Sequence, residues 1–188
     1  NTSDETFESM QDMALMPKIA PHIKRVTTGN GKQRIRFTNG SQIEFGAREH
    51  GFGRGKTKIS IMVLDECQHV SEAALANLIP TMNQGINPLL FMMGTPPTPE
   101  NKGDAFKNRR HRAIKKVSKN VLYVEFSADS DANLDDRKQW GIANPSFPKR
   151  TPEDAILRLR EGLGTDESFK REALGIWDED NLGAAVIE

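Results

Sequence analysis

Residues 59–66 read Ile-Ser-Ile-Met-Val-Leu-Asp-Glu, a nearly unbroken apolar run that ends in two carboxylates. A run of Ile, Val and Leu without regular polar alternation is typical of a strand buried inside a parallel sheet. Asp65 and Glu66 would then lie at the carboxyl edge of that sheet, where open α/β folds bind their ligands. One carboxylate there can hold Mg²⁺ while the next polarises a water molecule that attacks a phosphate. Strands also end in acids because the chain emerges into water, so neighbouring signals must decide between these two interpretations.

The composition limits the class of protein. The chain has 188 residues, a formal net charge of zero, 36% hydrophobic residues and a single cysteine, Cys67. This length fits one domain of ordinary size, and one cysteine excludes a disulfide framework and favours an intracellular setting. No apolar run approaches the ~18 residues of a membrane span. The first residue is Asn1, and the opening stretch lacks a signal-peptide pattern, so we expect a fragment or a processed product.

Strand and helix patterns alternate after the first strand. Ser71 is a plausible N-cap for a helix that stops at Pro80, and Pro88–Met93 is a second apolar strand. A helix from about Lys102 to Lys115 then leads to a third predicted strand, Val121–Phe126. This order predicts βαβ crossovers and a parallel sheet.

Two other regions have local signals. Asn39-Gly40 lies between alternating polar and apolar runs, which predicts a half-exposed β-hairpin. In the last third, Pro152–Glu161 and Asp166–Leu174 are predicted to form amphipathic helices, with Trp140 and Trp177 anchoring this region to the core.

The second predicted strand ends in Gly94-Thr95. If this strand lies beside the first in parallel order, Thr95 would lie near the γ-phosphate of a nucleotide bound at the sheet edge. Its hydroxyl or amide could then sense whether the phosphate is present. The alternative is that Gly-Thr-Pro-Pro is only a turn after a strand.

A phosphate-binding loop is not evident. His50–Thr57 reads His-Gly-Phe-Gly-Arg-Gly-Lys-Thr, which differs from G-x-x-x-x-G-K-[ST] at its first position. A P-loop also precedes a helix, whose N-terminus binds the phosphate, whereas Lys56-Thr57 runs into a strand. Either the loop lies upstream of Asn1, or the domain does not bind nucleotide by that route.

The ordered motifs resemble those of the large subunit of tailed-phage terminases. The resemblance extends from about residue 33 to residue 177. The residues that carry it are Arg54-Gly55, Ile61-Met62-Val63-Leu64-Asp65-Glu66-Cys67-Gln68, Met93-Gly94-Thr95-Pro96, Asn144-Pro145 and Phe169-Lys170-Arg171-Glu172 with Trp177. It implies an α/β fold with a mostly parallel sheet flanked by helices, a RecA-like (additional-strand) P-loop NTPase truncated at its N-terminus. Residues 1–140 would be the C-terminal part of the ATPase domain, and residues 141–188 a helical linker toward an absent nuclease domain.

The resemblance also implies roles for individual residues. Asp65 matches the Walker B aspartate that supports Mg²⁺, and Glu66 matches the catalytic glutamate that orients water for ATP hydrolysis. Gly94 and Thr95 match the coupling motif. Arg54 matches an arginine that stabilises transition-state charge, with a loop salt bridge as its alternative role. Without a Walker A motif, the chain by itself is expected to be inactive.

The implied partners are double-stranded DNA, a portal protein, a small terminase subunit and further copies of the chain in a ring. The implied location is the cytoplasm of a bacterial host, without a membrane partner. A basic cluster between Lys107 and Lys116 could track DNA phosphates, or it could be a solvated helix face. Its candidate DNA-binding residues are Arg109, Arg110, Arg112, Lys115 and Lys116.

Two other functions remain open. Asp65-Glu66-Cys67-Gln68 resembles the D-E-x-[DH] box of superfamily 2 helicases and other DNA-dependent ATPases, although Gln68 departs from that pattern. The second alternative is a non-catalytic DNA-binding or assembly module with a degenerate nucleotide site.

Overall fold

The computed structural model describes residues 2–29, 31–46, 56–101 and 103–178, with the side chain of Thr2 excluded. Contacts between Cα atoms divide the chain into two units, Asn1–Lys58 and Ile59–Glu188. The helices are α1 (Thr2–Ala14), α2 (Glu72–Leu78), α3 (Asp104–Ile114), α4 (Arg137–Ala143), α5 (Glu153–Leu163) and α6 (Asp166–Glu172). The strands are β1 (Ile23–Thr27), β2 (Arg34–Phe37), β3 (Gln42–Glu44), β4 (Ile61–Leu64) and β5 (Leu89–Met92). Among the described helices, none is long and apolar enough to cross a membrane.

The first unit is an antiparallel sheet of order β1-β2-β3, together with α1. Phe7 and Ala14 are the buried apolar residues of α1, and their seven-residue spacing places them on one face of the helix. The Phe7 ring lies 5.2 Å from that of Phe45, just beyond β3. Gln33 donates a 2.9 Å hydrogen bond to Asp4, which lowers the pKa of that carboxyl. The polar composition of this opening stretch did not reveal the helix, whose described side chains include only these two in the core.

The predicted hairpin around Asn39-Gly40 is confirmed. β2 and β3 pair antiparallel, with Ile35 opposite Ile43. Gly40 has a φ of 89°, and its N–H donates to Phe37 O at 3.1 Å, while Asn39 keeps a negative φ. The connection is therefore a three-residue loop with one left-handed position, rather than a two-residue turn that needs two.

The second unit contains the apolar strand that precedes Asp65-Glu66. β4 and β5 pair in parallel, with Ile61 opposite Leu89 and Leu64 opposite Met92. Parallel pairing needs a crossover between the strands, and α2 supplies it, beginning at Ser71, whose hydroxyl accepts from Ala74 N at 3.2 Å. The predicted parallel order and the predicted N-cap are both confirmed. The buried cluster beneath this pair is formed by Met62, Leu64, Cys67, Val70, Leu75, Leu78, Met82 and Ala105.

The prediction of a strand buried on both faces is wrong for the described chain. Met62 and Leu64 are buried, but Ile61 is 59% exposed and Val63 58% exposed. Successive side chains of a strand point to opposite faces of the sheet, and the buried cluster lies on only one of them. The other face therefore leaves a row of apolar side chains exposed, namely Ile61, Val63, Leu89, Phe91 and Met93.

The predicted third strand, Val121–Phe126, is also wrong. Residues 121–126 belong to no helix or strand, and each of them is exposed. β4 and β5 form a two-stranded sheet, so residues 121–126 have no ladder with either of them. An apolar β-branched run favours a strand, but a strand also needs a neighbouring backbone edge for its hydrogen bonds.

A second buried cluster joins α4, α5 and α6. It consists of Ala128, Trp140, Ile156, Phe169, Leu174 and Ile176. The Trp140 indole N–H donates to Leu134 O at 2.7 Å, and Ala128 N donates to Leu174 O at 2.9 Å. The burial of Trp140 agrees with its predicted role as an anchor. This cluster draws residues from both sides of the boundary predicted between 140 and 141, and that boundary stays a prediction.

The neighbouring residues Ile156 and Leu157 offer a matched test of the second cluster. Ile156 is 6% exposed and Leu157 40% exposed, on the same helix. We expect Ile156→Ala to lower the free energy of unfolding by about 2–4 kcal/mol, because it leaves a cavity in the cluster. Leu157→Ala should lower the same free energy by less than about 1 kcal/mol, because the Leu157 side chain is already partly exposed and less buried apolar area is lost. Urea unfolding followed by tryptophan fluorescence measures both, because Trp140 and Trp177 lie in the second unit. Equal losses would contradict this assignment.

Candidate functional site

Backbone hydrogen bonds hold the chain segments that follow β4 and β5 together. Met93 N donates to Leu64 O at 2.9 Å, and Cys67 N donates to Met93 O at 2.8 Å. These bonds continue the parallel ladder beyond the last paired residues of the strands. Asp65-Glu66 and Gly94-Thr95 therefore leave the sheet at the same carboxyl edge, as the sequence pattern predicts.

Glu66 has a backbone conformation that is uncommon for a residue with a side chain. Its φ is 52° and its ψ is 48°, in the left-handed region, and a 3₁₀ turn over Cys67–His69 follows it. The Asp65 carboxylate accepts a 3.0 Å hydrogen bond from Glu66 N. Such a conformation costs on the order of 1 kcal/mol, and residues of this kind cluster at functional sites. Here it turns the chain sharply after the strand and leaves both acidic residues exposed.

Gln68 connects the acid pair to the turn after β5. Its side chain is buried, at 5% exposure for the residue. Its amide nitrogen donates to Glu66 Oε2 at 2.5 Å, and its amide oxygen accepts from Thr95 N at 3.3 Å. In the sequence, Gln68 belongs to the terminase-like motif and departs from the helicase motif, but neither pattern indicates this bridge. The available signal was an uncharged polar residue placed between Cys67 and Val70, both of which are buried.

The turn after β5 has little spare room. A Cβ atom on Gly94 would lie 2.3 Å from Gln68 Oε1 and 2.9 Å from Cys67 N, so only glycine fits without movement. Beside it, the Thr95 hydroxyl oxygen is buried and has no hydrogen-bond partner within the described part of the chain. An unsatisfied buried hydroxyl costs about 1–3 kcal/mol, so its presence at this edge needs an explanation.

Comparison with known proteins relates this geometry to a fold. No family model matches the chain, and no curated protein matches its sequence. The crystal structure of the HK97 bacteriophage large terminase superposes on 90% of this chain with a TM-score of 0.72 and 20% sequence identity. The chain shares its fold with a bacteriophage large terminase. The resemblance expected from the motifs is thus confirmed at the level of fold. The chain spans 36% of the HK97 terminase chain.

The terminase-like motif that precedes β4 is mostly outside the described residues. Arg54, the candidate for stabilising transition-state charge, lies in the stretch 47–55, which the structure does not describe. Of the P-loop-like stretch His50–Thr57, only residues 56 and 57 are described. Lys56 forms an ion pair with Glu44.

The five cations predicted to bind DNA lie in α3 and in the two residues after it, and they fall into two groups. The Arg110 guanidinium donates two 3.0 Å hydrogen bonds to the Glu125 carboxylate and lies 4.5 Å from the centre of the Trp177 ring. The other predicted DNA-binding residues are exposed: Arg109, Arg112, Lys115 and Lys116. Arg110 thus links α3 to the segment around residue 125. The DNA-binding role of all five residues stays a prediction.

The site has carboxylates suited to a divalent cation. Within the described ranges, no group of three or more His, Cys, Asp or Glu side chains is arranged to hold a metal ion. Mg²⁺, however, is usually held by one or two carboxylates together with phosphates of the substrate. Asp65 and Glu66 therefore have the chemistry for Mg²⁺ in the presence of a nucleotide.

The space around Gly94 leads to a testable difference between two glycines. We expect Gly94→Ala to destabilise the second unit by about 1–3 kcal/mol, because the new methyl group displaces the Gln68 amide. Gly162→Ala is the control, since a Cβ atom there meets nothing within 4 Å. In helix α5 that change should stabilise by about 0.5–1 kcal/mol. Urea midpoints measured by tryptophan fluorescence compare the two, and a neutral Gly94→Ala would refute the close packing.

Proposed function

We propose that the chain is part of a phage terminase large subunit, an ATP-driven motor that moves double-stranded DNA into a capsid. One observation carries this proposal: Asp65-Glu66 and Gly94-Thr95 leave adjacent parallel strands at one sheet edge and are joined there by Gln68. The fold shared with the HK97 large terminase supports it. We further propose that the complete ATPase domain has a RecA-like sheet.

The proposed chemistry assigns one role to each side chain. Asp65 would hold Mg²⁺, which when bound neutralises charge on the phosphates. Glu66 would orient the attacking water and accept its proton. The Thr95 hydroxyl, buried and unsatisfied among the described residues, would hydrogen-bond the γ-phosphate or the water, which explains its position. Arg54 would stabilise transition-state charge on a nucleotide bound by its own or a neighbouring subunit.

The exposed apolar face of the β4–β5 sheet supports the proposal that the chain is part of a larger ATPase domain. Ile61, Val63, Leu89 and Phe91 form one apolar patch on two paired strands. A contiguous exposed apolar patch on one sheet face is a candidate interaction surface. We propose that the part of the ATPase domain that carries the phosphate-binding loop packs on this face.

The partners follow from the proposed motor. Double-stranded DNA would contact the exposed cations of α3, and a portal protein, a small terminase subunit and further copies of the chain in a ring would complete the assembly. The proposed setting is the cytoplasm of a bacterial host.

A non-catalytic DNA-binding module is the second candidate. It is favoured by the sequence of the P-loop-like stretch, which has His50 where the pattern requires a glycine. Such a module would bind DNA through α3 without any response to ATP.

Glu66 provides the test of the enzyme proposal. In the protein that contains this chain, we expect Glu66→Gln to reduce kcat for ATP hydrolysis by about 10²–10⁴-fold, because the amide cannot accept the proton of the water. ATP binding should persist. Glu161→Gln, an exposed control on α5, should leave the rate unchanged. Hydrolysis that survives Glu66→Gln would reject the proposal, as would ATP-dependent unwinding of DNA, which favours a helicase.

The exposed cations of α3 can be tested on this chain alone. We expect Arg109→Ala with Arg112→Ala to weaken binding of double-stranded DNA equally for unrelated sequences. If each arginine contacts one phosphate, the slope of log K against log salt should become shallower by about 1.8, at ~0.9 per phosphate contact. Arg158→Ala, at an exposed position of α5, is the control. A fluorescence anisotropy titration over a salt series measures the slope. An unchanged slope would show a solvated helix face.

A further inference from the structure

The Gln68 side chain occupies a constrained position between two parts of the candidate site. One end of its amide donates to Glu66 and the other accepts from Thr95 N. Because an amide is planar, its donor and acceptor ends move together. A new partner for the amide oxygen therefore changes the direction in which the amide nitrogen can donate, and the reverse also holds.

Two glycines fix the surroundings of this residue. A Cβ atom on Gly94 would lie 2.3 Å from the amide oxygen of Gln68, and a Cβ atom on Gly103 would lie 2.5 Å from its backbone oxygen. The backbone N–H of the preceding residue, Cys67, is tied to Met93 O at 2.8 Å. The main chain at Gln68 is thus held on both sides, and rotation of the side-chain amide is the remaining freedom.

The two hydrogen bonds of the amide differ in strength. The bond to Glu66 is short and joins a carboxylate, and charge-assisted bonds of this kind are roughly twice as strong as neutral ones. The bond from Thr95 N is long, at 3.3 Å, and joins neutral groups. Thr95 N–H is therefore the end that can change partner at low cost.

From this arrangement we propose that Gln68 is a positioning residue that couples the Glu66 carboxylate to the Gly94-Thr95 turn. Its role in hydrolysis rests on the proposed function, whereas the coupling is a property of this chain without nucleotide. When Thr95 N–H donates to a phosphate oxygen, the Gln68 amide loses that donor and can rotate. Rotation changes the hydrogen bond that holds Glu66. The presence of phosphate would thus set the orientation of the residue that activates water.

A purely structural Gln68 would only satisfy buried polar groups, and NMR distinguishes the two roles. The Thr95 amide shift is measured in ¹⁵N-labelled chain for the unmodified protein, Glu66→Gln, Gln68→Met and the double variant. We expect Glu66→Gln to shift the Thr95 amide signal in the presence of Gln68 and to leave it unmoved beside the methionine. Methionine has nearly the same length as glutamine but does not donate a hydrogen bond to Glu66.

Controls keep the result interpretable. Gln84→Met changes an exposed glutamine of the same unit and should preserve the response of Thr95 to Glu66→Gln. Amide signals of Val70 and Leu75, both buried in the first cluster, report whether the fold is intact. If Gln68→Met unfolds the unit, Gln68→Asn replaces it, because the shorter side chain keeps an amide but cannot reach both Glu66 and Thr95. The response should again be lost.

Two results would overturn the coupling: a Thr95 signal that ignores Glu66→Gln in the unmodified chain, or one that responds equally in the Gln68 variants.

In the complete protein, Gln68→Met should lower kcat by about 10-fold or more with little change in KM for ATP, by analogy with residues that orient active-site ligands. An unchanged kcat would also overturn the role. If Thr95 does not respond to Glu66→Gln in the chain with Gln68, and Glu66→Gln is inactive in the complete protein, this inference is rejected and the proposed function stands. Coupling with a fully active Glu66→Gln would do the reverse.

Discussion

The parallel ladder between β4 and β5 is the constraint on which the candidate site depends. It pairs Leu64 with Met92 and continues in the hydrogen bond that Met93 N donates to Leu64 O. Both strands therefore end at one edge of the sheet. A slip of one residue would exchange the buried and exposed faces of a strand, because side chains alternate along it. The burial of Met62 and Leu64 therefore fixes the register. That register places Glu66 and Thr95 within reach of the same amide.

The first buried cluster supports the site from below. Cys67 and Val70, on either side of Gln68, are buried in it, as is Ala105 of α3. The Cys67 thiol donates to Leu64 O at 3.1 Å, which closes the turn that contains Asp65 and Glu66. The acid pair is exposed, but Cys67 and Val70, which follow it, are buried in this cluster. A left-handed conformation at Glu66 persists because these contacts hold the residues after it.

The charged residues of α3 show how one element serves two purposes. Arg110 points toward Glu125 and Trp177, and it ties residues 121–126 to the helix although these residues pair with none of the described strands. The exposed cations nearby remain available for a polyanion. The charge run therefore includes both an internal ion pair and a solvated face, which composition alone does not separate.

The sequence by itself determined the features that depend on residues close together in the chain. It predicted the Asn39-Gly40 hairpin, the Ser71 cap, the two apolar strands and the acids at the end of β4, because turn chemistry, capping and apolar periodicity are local. Only the tertiary structure decided which side chains meet. The bridge through Gln68, the exposed face of the sheet, the missing ladder at 121–126 and the pairing of Arg110 all involve partners distant in sequence. Hydrogen bonds and burial need a neighbour in space, and neither the pattern of a strand nor the charge of a side chain specifies that neighbour.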